Sequence, residues 1–272
     1  MKVELFKPKN KALQEYIECF YLLTHPKDTT PTSYVSFPNT FSMVSILINV
    51  ENIVTDNEIY TKSSFQHPFH AILYDTFRKP VKVTYEGEIK EITIYFKPLG
   101  LNTFLEKDLN FYTKNPFIPF YDFEKKMTSI LHLEEKEVLF DEMEKYWISK
   151  FCGFQHPFLP QVINHITDKI NTPISKIAEE LNISHKTLLK HFRKYCSKTP
   201  SEFRKIVRFR NALNEKIHHK GAKNLTEISH AFKYFDQAHL NNDFKELTGL
   251  SPRDLLNNLN STDSDELHWI FS

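Results

Sequence analysis

The sequence predicts an α+β protein of two domains, in which a β-rich region is followed by an all-α region. Alternating and β-branched segments occupy the first part of the chain, whereas apolar residues recur at helical spacing after residue 158. A length of 272 residues also exceeds that of a typical single domain. Charge divides the chain in the same way, since residues 1–155 carry 18 basic and 21 acidic side chains and residues 156–260 carry 17 and 10.

Composition excludes several classes of protein. The chain has 5 glycines, and the glycine-rich motifs that cradle phosphates do not occur in it. No apolar run reaches the roughly 18 residues that span a bilayer, and the N-terminus lacks the apolar stretch of a secretory signal. The three cysteines lie far apart and outside any C-x-x-C motif, which indicates neither a disulfide framework nor a zinc site. We expect a cytoplasmic protein without membrane association, metal or other cofactor.

Strands are predicted in the first region from apolar alternation. Residues 41–48 are apolar and β-branched, and residues 81–85 and 88–96 alternate on either side of Glu86-Gly87. This spacing predicts a hairpin whose turn is Glu86-Gly87.

Helical spacing follows these strands. Helices are predicted near residues 99–106 and 120–130 and over the Glu-rich residues 134–151. We place the boundary between the domains in residues 153–160, so that the first domain comprises residues 1–153.

Helix start and stop signals are frequent after this boundary. The start signals are Thr172-Pro173, Ser184, the capping box Thr199-Pro200-Ser201-Glu202, Asn224 to Glu227, Asp236 and Ser251-Pro252. Thr248-Gly249 is a stop signal, because glycine readily adopts the left-handed conformation that ends a helix. The capping box opens a long basic helix that is predicted to end near His219.

The second region repeats itself at an interval of 52 residues. The paired positions are Ser184 and Asp236, Leu188 and Leu240, Phe192 and Phe244, and Pro200 and Pro252. Each copy is a short helix, a turn and a capped second helix, which is the helix-turn-helix unit. We therefore predict two such units within residues 154–260, followed by an acidic and apolar tail over residues 261–272.

The segment from about residue 158 to residue 259 resembles the DNA-binding domain of the AraC/XylS family of bacterial transcription regulators. The residues that carry the resemblance are Ile177-Ala178, Ser184, Lys186, Leu188, Lys190, Phe192, Thr199-Pro200 and Arg208, then Ile228-Ser229, Tyr234, Asp236 to Leu240, Phe244-Lys245 and Gly249 to Pro252. The departures from the family pattern are Ser197, Ser229, Lys233 and Asn242. Residues 1–153 resemble the cupin-like regulatory domains of such proteins, through their alternating strands and the segment from Ile92 to Gly100.

This resemblance implies a sequence-specific regulator whose two units enter successive major grooves, about 34 Å apart. The base-reading candidates are Lys186, Leu189 and Lys190 in the first unit and Gln237, Ala238, His239 and Asn242 in the second. Gln237 could pair with adenine, whereas Asp236 is expected to cap its helix. The phosphate candidates are Ser184, Arg193, Lys194, Arg204, Lys205 and Arg210. Arg208 is expected to brace the two units, and the lysines could alternatively contact phosphates alone.

The distribution of charge within the second region favours a polyanionic partner for the first unit. Residues 174–220 carry 12 basic and 4 acidic side chains, whereas residues 221–260 carry 4 and 5. Phosphate attraction is the main affinity term that does not depend on sequence. We therefore expect the first unit to supply most of the affinity and the second to add discrimination.

The predicted partners are double-stranded DNA, a small-molecule effector in the N-terminal domain, a second copy of the chain, and RNA polymerase if the protein activates transcription. His67 and His70 could bind a metal in a cupin, but no acidic partner accompanies them, and Cys196 lacks a resolving cysteine. The protein is expected not to be an enzyme. Two alternatives stay open: a cupin-like enzyme with an accessory helical domain, and a module whose basic helices bind an acidic protein.

Overall fold

A computed structural model of the chain describes residues 1–27, 29–75, 77–113, 116–218, 234, 236–259 and 269–271. The strands are β1 (Lys2–Phe6), β2 (Ile17–His25), β3 (Thr32–Ser36), β4 (Ser42–Ile48), β5 (Val50–Val54), β6 (Glu58–Ser63), β7 (Phe69–Tyr74), β8 (Val81–Glu86), β9 (Ile89–Phe96) and β10 (Trp269–Phe271). The helices are α1 (Lys11–Gln14), α2 (Leu109–Tyr112), α3 (Phe123–Leu131), α4 (Lys136–Ser149), α5 (Leu159–Asp168), α6 (Ile174–Glu180), α7 (His185–Cys196), α8 (Pro200–His218), α9 (Gln237–Thr248) and α10 (Pro252–Leu259). The predicted order of a β-rich region followed by a helical region is confirmed.

The strands form two five-stranded sheets. The first sheet has the order β1-β2-β9-β4-β7 and is antiparallel throughout. The second has the order β10-β3-β8-β6-β5, in which β6 and β8 are parallel. Strand β10 lies in the segment predicted as a tail, and it pairs with β3 so that Ile270 is opposite Val35.

The central strand β9 separates two apolar cores. Its residues Ile92, Ile94 and Phe96 face the helices and pack in one cluster with Phe123 of α3 and Trp147 of α4. Its alternate residues point to the other face, because successive side chains of a strand project in opposite directions. The residues of that face are Ile89, Glu91, Thr93 and Tyr95, and all are buried between the two sheets.

The predicted hairpin at Glu86-Gly87 is wrong. Strand β8 pairs with β3 and β6, whereas β9 pairs with β2 and β4, so the turn passes from one sheet to the other. Gly87 has a φ of 81°, which allows the reversal. The cause is the buried inner face of both strands: the Tyr85 hydroxyl reaches across the sandwich and donates to Glu91. Alternation predicted each strand but not its neighbour.

The predicted helix near residues 99–106 is reduced to a single 3-10 turn over Leu101–Thr103. Leu99 has a φ of 66°, and this left-handed conformation prevents a regular helix from beginning there. Helices α3 and α4 lie where residues 120–130 and 134–151 predicted them.

The helical region has a core for each repeat. The first core includes Leu159, Ile177, Leu188, Phe192 and Phe203, which are all buried. The second is built on α8, α9 and α10, and its largest members include Phe209, Leu240, Phe244 and Leu255. Phe37, from the connection between β3 and β4, completes this second core and is 3% exposed. The helix predicted to open at Asn224, together with Ile228, Ser229 and Lys233, lies outside the described residues.

Candidate nucleic-acid interface

Helix α7 presents a basic outer face. The Ser184 hydroxyl accepts a hydrogen bond from the Thr187 amide at 3.0 Å and so caps the helix. Helical spacing then buries Leu188, Phe192 and Cys196 against α6 and α8, and leaves the intervening residues outside. Lys186, Lys190 and Arg193 are exposed and Leu189 is half-buried. The first-unit candidates predicted to read bases therefore share one accessible surface.

Helix α6 lies against α7 in the order expected of a helix-turn-helix. Ile177 and Ala178 of α6 are buried in the first core. Between the helices, Asn182 adopts a φ of 53°, a conformation that asparagine tolerates better than most residues. The turn thus brings Ser184 to the start of α7, so that the N-terminal half of α7 is the end presented outward.

The corresponding helix of the second unit, α9, is capped in the same way. The Asp236 carboxylate accepts from the His239 amide at 2.7 Å, as expected for a cap. Gln237, Ala238 and Asn242 are exposed. The His239 ring packs edge-on against Tyr234 at 5.3 Å between centroids, with Nε2 3.7 Å from Asp243. The His239 side chain is therefore half-buried in contacts within the second unit.

Some phosphate candidates have partners within the protein. Lys194 lies 3.6 Å from Asp108, and Lys205 donates to both carboxylate oxygens of Glu246 at 2.8 Å. Arg204 is half-buried and donates to the Thr172 carbonyl at 3.1 Å. Exposed ion pairs of this kind contribute at most about 1 kcal/mol, so they exchange readily for phosphate. Lys194 and Lys205 are thus held by ion pairs with at least partly exposed carboxylates, whereas Arg204 is held by a backbone carbonyl.

The structure contradicts the prediction for Arg210. Its guanidinium donates from Nε to the Pro38 carbonyl at 3.0 Å and from Nη2 to the Phe37 carbonyl at 2.7 Å. Burial lowers the pKa of Arg210 to about 10. The side chain is occupied inside the protein because Phe37 enters the second core beside it. The sequence predicted only that a basic helix would face phosphate.

The linking helix α8 is anchored at its start and braced in its middle. Thr199 and Glu202 form the predicted capping box, with the Thr199 amide donating to Glu202 at 2.6 Å and the Glu202 amide donating to the Thr199 hydroxyl at 3.1 Å. The Arg208 guanidinium lies 5.1 Å from the centre of the Tyr234 ring. This contact places Arg208 between α8 and the second unit, as a bracing residue would lie.

A buried ion pair joins the two regions of the chain. Lys198, in the turn between α7 and α8, donates to the Asp75 carboxylate at 2.7 Å and to the Asp75 carbonyl at 2.9 Å. Neither side chain is more than 2% exposed. Arg78 reinforces the contact by donating to the Ser197 carbonyl and lying 3.5 Å from Glu202. We call these four side chains and the Ser197 carbonyl the joint.

Sequence reasoning did not find the joint. Asp75 and Lys198 are 123 residues apart, and no local pattern links them. A lysine between two capped helices is normally solvated, and only the fold shows that the connection between β7 and β8 covers this one. A further contact, from the Asn102 side chain to the Tyr195 carbonyl at 2.9 Å, was equally invisible.

A cavity lies between the two sheets and reaches the joint. It has a volume of about 60 Å³, which is room for about four or five water-sized groups. Five tyrosine rings contribute to its wall: Tyr21, Tyr34, Tyr74, Tyr85 and Tyr95. Glu91 lies among them, and Asp75 and Lys198 of the joint also line the cavity. The cavity therefore connects the interior of the N-terminal region with the turn that follows α7.

These features define a helix-turn-helix DNA-binding region attached to a β-sandwich with an internal cavity. Residues 177–258 match a family described as a helix-turn-helix domain. The C-terminal region therefore contains a helix-turn-helix domain, as the resemblance to the AraC/XylS family predicted. No curated protein sequence matches the chain.

Solved structures of ToxT from Vibrio cholerae are similar to the chain. A structure at 1.65 Å resolution shares 10% identity, covers 88% of this chain and 97% of the ToxT chain, and has a TM-score of 0.42. ToxT bound to an unsaturated fatty acid shares 11% identity and covers 95% and 100% of the two chains with a TM-score of 0.40. ToxT bound to (E)-4-(8-methylnaphthalen-1-yl)but-3-enoic acid shares 11% identity and covers 88% and 97%, also with a TM-score of 0.40.

Within the described ranges, no helix combines the length and apolar character needed to cross a membrane. Over the same part of the chain, no three His, Cys, Asp or Glu side chains are grouped as metal ligands. His67 and His70 lie with their ring centroids 5.8 Å apart.

Proposed function

We propose that this chain regulates transcription by binding specific duplex DNA through the outer faces of α7 and α9, under the control of its N-terminal region. The observation that carries the proposal is the exposed basic face of a capped α7. Lys186 and Lys190 lie on this face with Arg193 one turn further along, and the side chains of these three residues form no hydrogen bond or ion pair within the described residues. The positive charge of such a face is complementary to the negative charge of a major groove and its phosphates.

The proposed DNA contacts of individual residues follow from the exposure of their side chains. Lys186, Leu189 and Lys190 would lie over base edges of the first half-site, and Gln237, Ala238 and Asn242 over those of the second. Ser184, Arg193, Lys194 and Lys205 would contact phosphates. In our proposal the functional division is residues 1–153 for regulation, 154–260 for DNA binding and 261–272 as a terminal segment.

The joint would connect regulation with DNA binding. A small effector in the cavity would touch Asp75 and Lys198, and Lys198 directly follows the residue that ends α7. Breaking a buried ion pair by removing one partner costs about 3–5 kcal/mol, which is enough to change the packing of the two regions. A homodimer through the N-terminal region, contact with RNA polymerase and a cytoplasmic location complete the proposal.

The test is the salt dependence of DNA binding by the full chain. Preferred sites are selected from random duplexes, and affinity for one of them is measured by fluorescence anisotropy over a series of salt concentrations. We expect log K to fall with log[salt] by about 0.9 for each phosphate contact, with a total slope of several units. A chain that binds all duplexes equally, or none at low salt, contradicts the proposal; exclusive binding of acidic proteins supports the interaction module instead.

A charge-matched control sharpens the test. Lys125 and Lys126 are exposed on α3, far from α7 in sequence and in the other region. Replacing both by alanine removes the same charge as replacing Lys186 and Lys190. Only the replacement of Lys186 and Lys190 is expected to reduce the affinity for DNA and its salt slope.

A further inference from the structure

The cavity between the sheets contains a carboxylate that forms no ion pair within the described residues. Glu91 is 5% exposed. It accepts hydrogen bonds from three hydroxyl groups, those of Ser45, Thr93 and Tyr85. Hydroxyl donors stabilise the ionised form of a buried carboxyl group but leave its charge uncompensated. The lining of the cavity therefore includes a buried carboxylate that is held by hydroxyl donors and has no cationic partner among the described residues.

The wall around this carboxylate is aromatic. Burial raises the pKa of each of the five tyrosines, and the charge of Glu91 raises it further in each case. All five rings therefore lie in the electric field of Glu91, and the charge of Arg210 opposes it at Tyr95 alone. The faces of such rings carry partial negative charge and attract cations. Rings and carboxylate thus favour the same sign of ligand charge.

The positive charges that line the cavity do not cancel Glu91. Lys198 is neutralised within the joint, where its ammonium group is held by Asp75 at 2.7 Å. Lys79 is exposed to solvent, where its field is screened. The second carboxylate oxygen of Asp75, Oδ2, is buried without a hydrogen-bond partner in the described structure, so the lining also offers a free acceptor.

We propose that the cavity binds a small organic ammonium cation, with the cationic head among the tyrosine rings and against Glu91. This inference rests on the proposed role of the N-terminal region as the part that receives an effector. The volume admits a head group of a few heavy atoms, such as a quaternary or protonated amine. A carboxylate ligand would face the charge of Glu91, and a neutral ligand of the same shape would gain nothing from it.

The experiment uses the full chain and three ligands of nearly the same shape. Choline carries a trimethylammonium group, 3,3-dimethylbutan-1-ol replaces it by a neutral tert-butyl group, and 3,3-dimethylbutanoate carries a negative charge. Titration calorimetry without DNA measures each affinity. We expect choline to bind at least tenfold more tightly than the alcohol, and the carboxylate more weakly than either. Equal affinities for choline and the alcohol, tighter binding of the carboxylate, or no binding of choline overturns the proposal.

Matched variants test the role of the carboxylate. Glu91→Gln keeps the shape of the side chain and removes its charge, and we expect it to weaken choline binding at least tenfold while changing binding of the alcohol little. Glu88→Gln makes the same chemical change on the exposed turn before β9 and should leave both affinities unaltered. Should Glu91→Gln not fold, as circular dichroism would show, Tyr74→Leu replaces it and is expected to weaken choline binding several-fold. Choline affinity that is unchanged in the folded variant refutes the site.

The outcome is separable from that of the proposed function. Calorimetry reports binding to the cavity whether or not the chain binds DNA. Choline binding by a chain without DNA affinity removes the regulator and keeps the cation site. Specific DNA binding by a chain that ignores choline keeps the regulator and removes the cation site.

Discussion

The two helix-turn-helix units are copies in sequence but not in construction. The buried members of the first core all come from residues 158–207, and Leu99 is a partly buried addition at its edge. The second core includes a fully enclosed residue from the N-terminal region, Phe37, whose ring meets Phe209 edge-on at 6.4 Å. Arg210 donates to the backbone carbonyls of Phe37 and Pro38 beside that contact. Repetition at 52 residues therefore does not make the units equally independent.

The difference also concerns where the N-terminal region touches each unit. It meets the first unit at the C-terminal end of α7, through the joint and through Asn102. It enters the second unit at the core itself. The N-terminal region thus contacts the first unit away from its basic outer face, whereas it completes the interior of the second. We expect the first to provide most of the affinity and the second to add discrimination.

The largest expected effect concerns affinity. Replacing Lys186 and Lys190 by alanine should nearly abolish binding to a selected site, because each contact to a base or phosphate is worth about 1–3 kcal/mol. Replacing Gln237 and Asn242 by alanine should leave substantial affinity but poorer selectivity. Footprinting titrations on one site compare the two double variants. Greater loss from the second pair would show that charge does not decide which unit dominates.

The next effect concerns the contribution of Phe37 to the second core. Phe37→Ala should destabilise the second unit by about 3–5 kcal/mol, since it removes a buried ring and leaves a cavity. Hydrogen exchange should then show loss of protection in α9 before α7. Phe65→Ala is the control, because that ring is 87% exposed. Equal loss of protection in both helices would mean that the two units unfold as one body.

The same comparison predicts how the C-terminal domain behaves when it is isolated. Residues 154–260 expressed alone lack Phe37, so we expect a fragment whose first unit is folded and whose second is not. Such a fragment should bind DNA at low salt with little discrimination. A fragment with the selectivity of the full chain would show that the second core tolerates the missing ring.

Removal of one partner of the Asp75–Lys198 ion pair should destabilise the chain by a comparable or smaller amount. Asp75→Asn leaves the Lys198 ammonium buried without its counter-charge, which costs up to about 3–5 kcal/mol. The double variant Asp75→Asn with Lys198→Met should recover part of this loss, because both charges are then gone. Urea unfolding of the unaltered chain, Asp75→Asn, Lys198→Met and the double variant gives the coupling energy. Additive losses would show that the pair is not coupled.

The sequence predicted what local chemistry decides. Ser184, Asp236 and the capping box each satisfy backbone groups a few residues away, and each is found where its pattern placed it. The joint, the role of Phe37 and the occupied guanidinium of Arg210 depend on contacts between residues more than 100 positions apart. Burial of the inner faces of β8 and β9 likewise placed these two strands in different sheets. Periodicity identifies an element and its buried face, but the partner is selected by packing over the whole chain.

The smallest expected effect is a reciprocal exchange at the end of α7 and α9. Ser197 and Gly249 are 52 residues apart and end these helices with φ values of 52° and 76°. A left-handed residue with a side chain costs about 1–2 kcal/mol, and glycine returns about 0.4–1 kcal/mol of this through the greater freedom of the unfolded chain. The Ser197 hydroxyl is also buried without a partner among the described residues.

Ser197→Gly should therefore stabilise the chain by about 1 kcal/mol. Gly249→Ser should destabilise it by a similar amount, through backbone conformation alone, because a Cβ there would meet its nearest neighbour, Pro80, at an ordinary 3.8 Å. Thermal unfolding of both variants measures the two changes. A loss of stability in Ser197→Gly would show that the serine side chain contributes to the joint, where its own carbonyl accepts from Arg78.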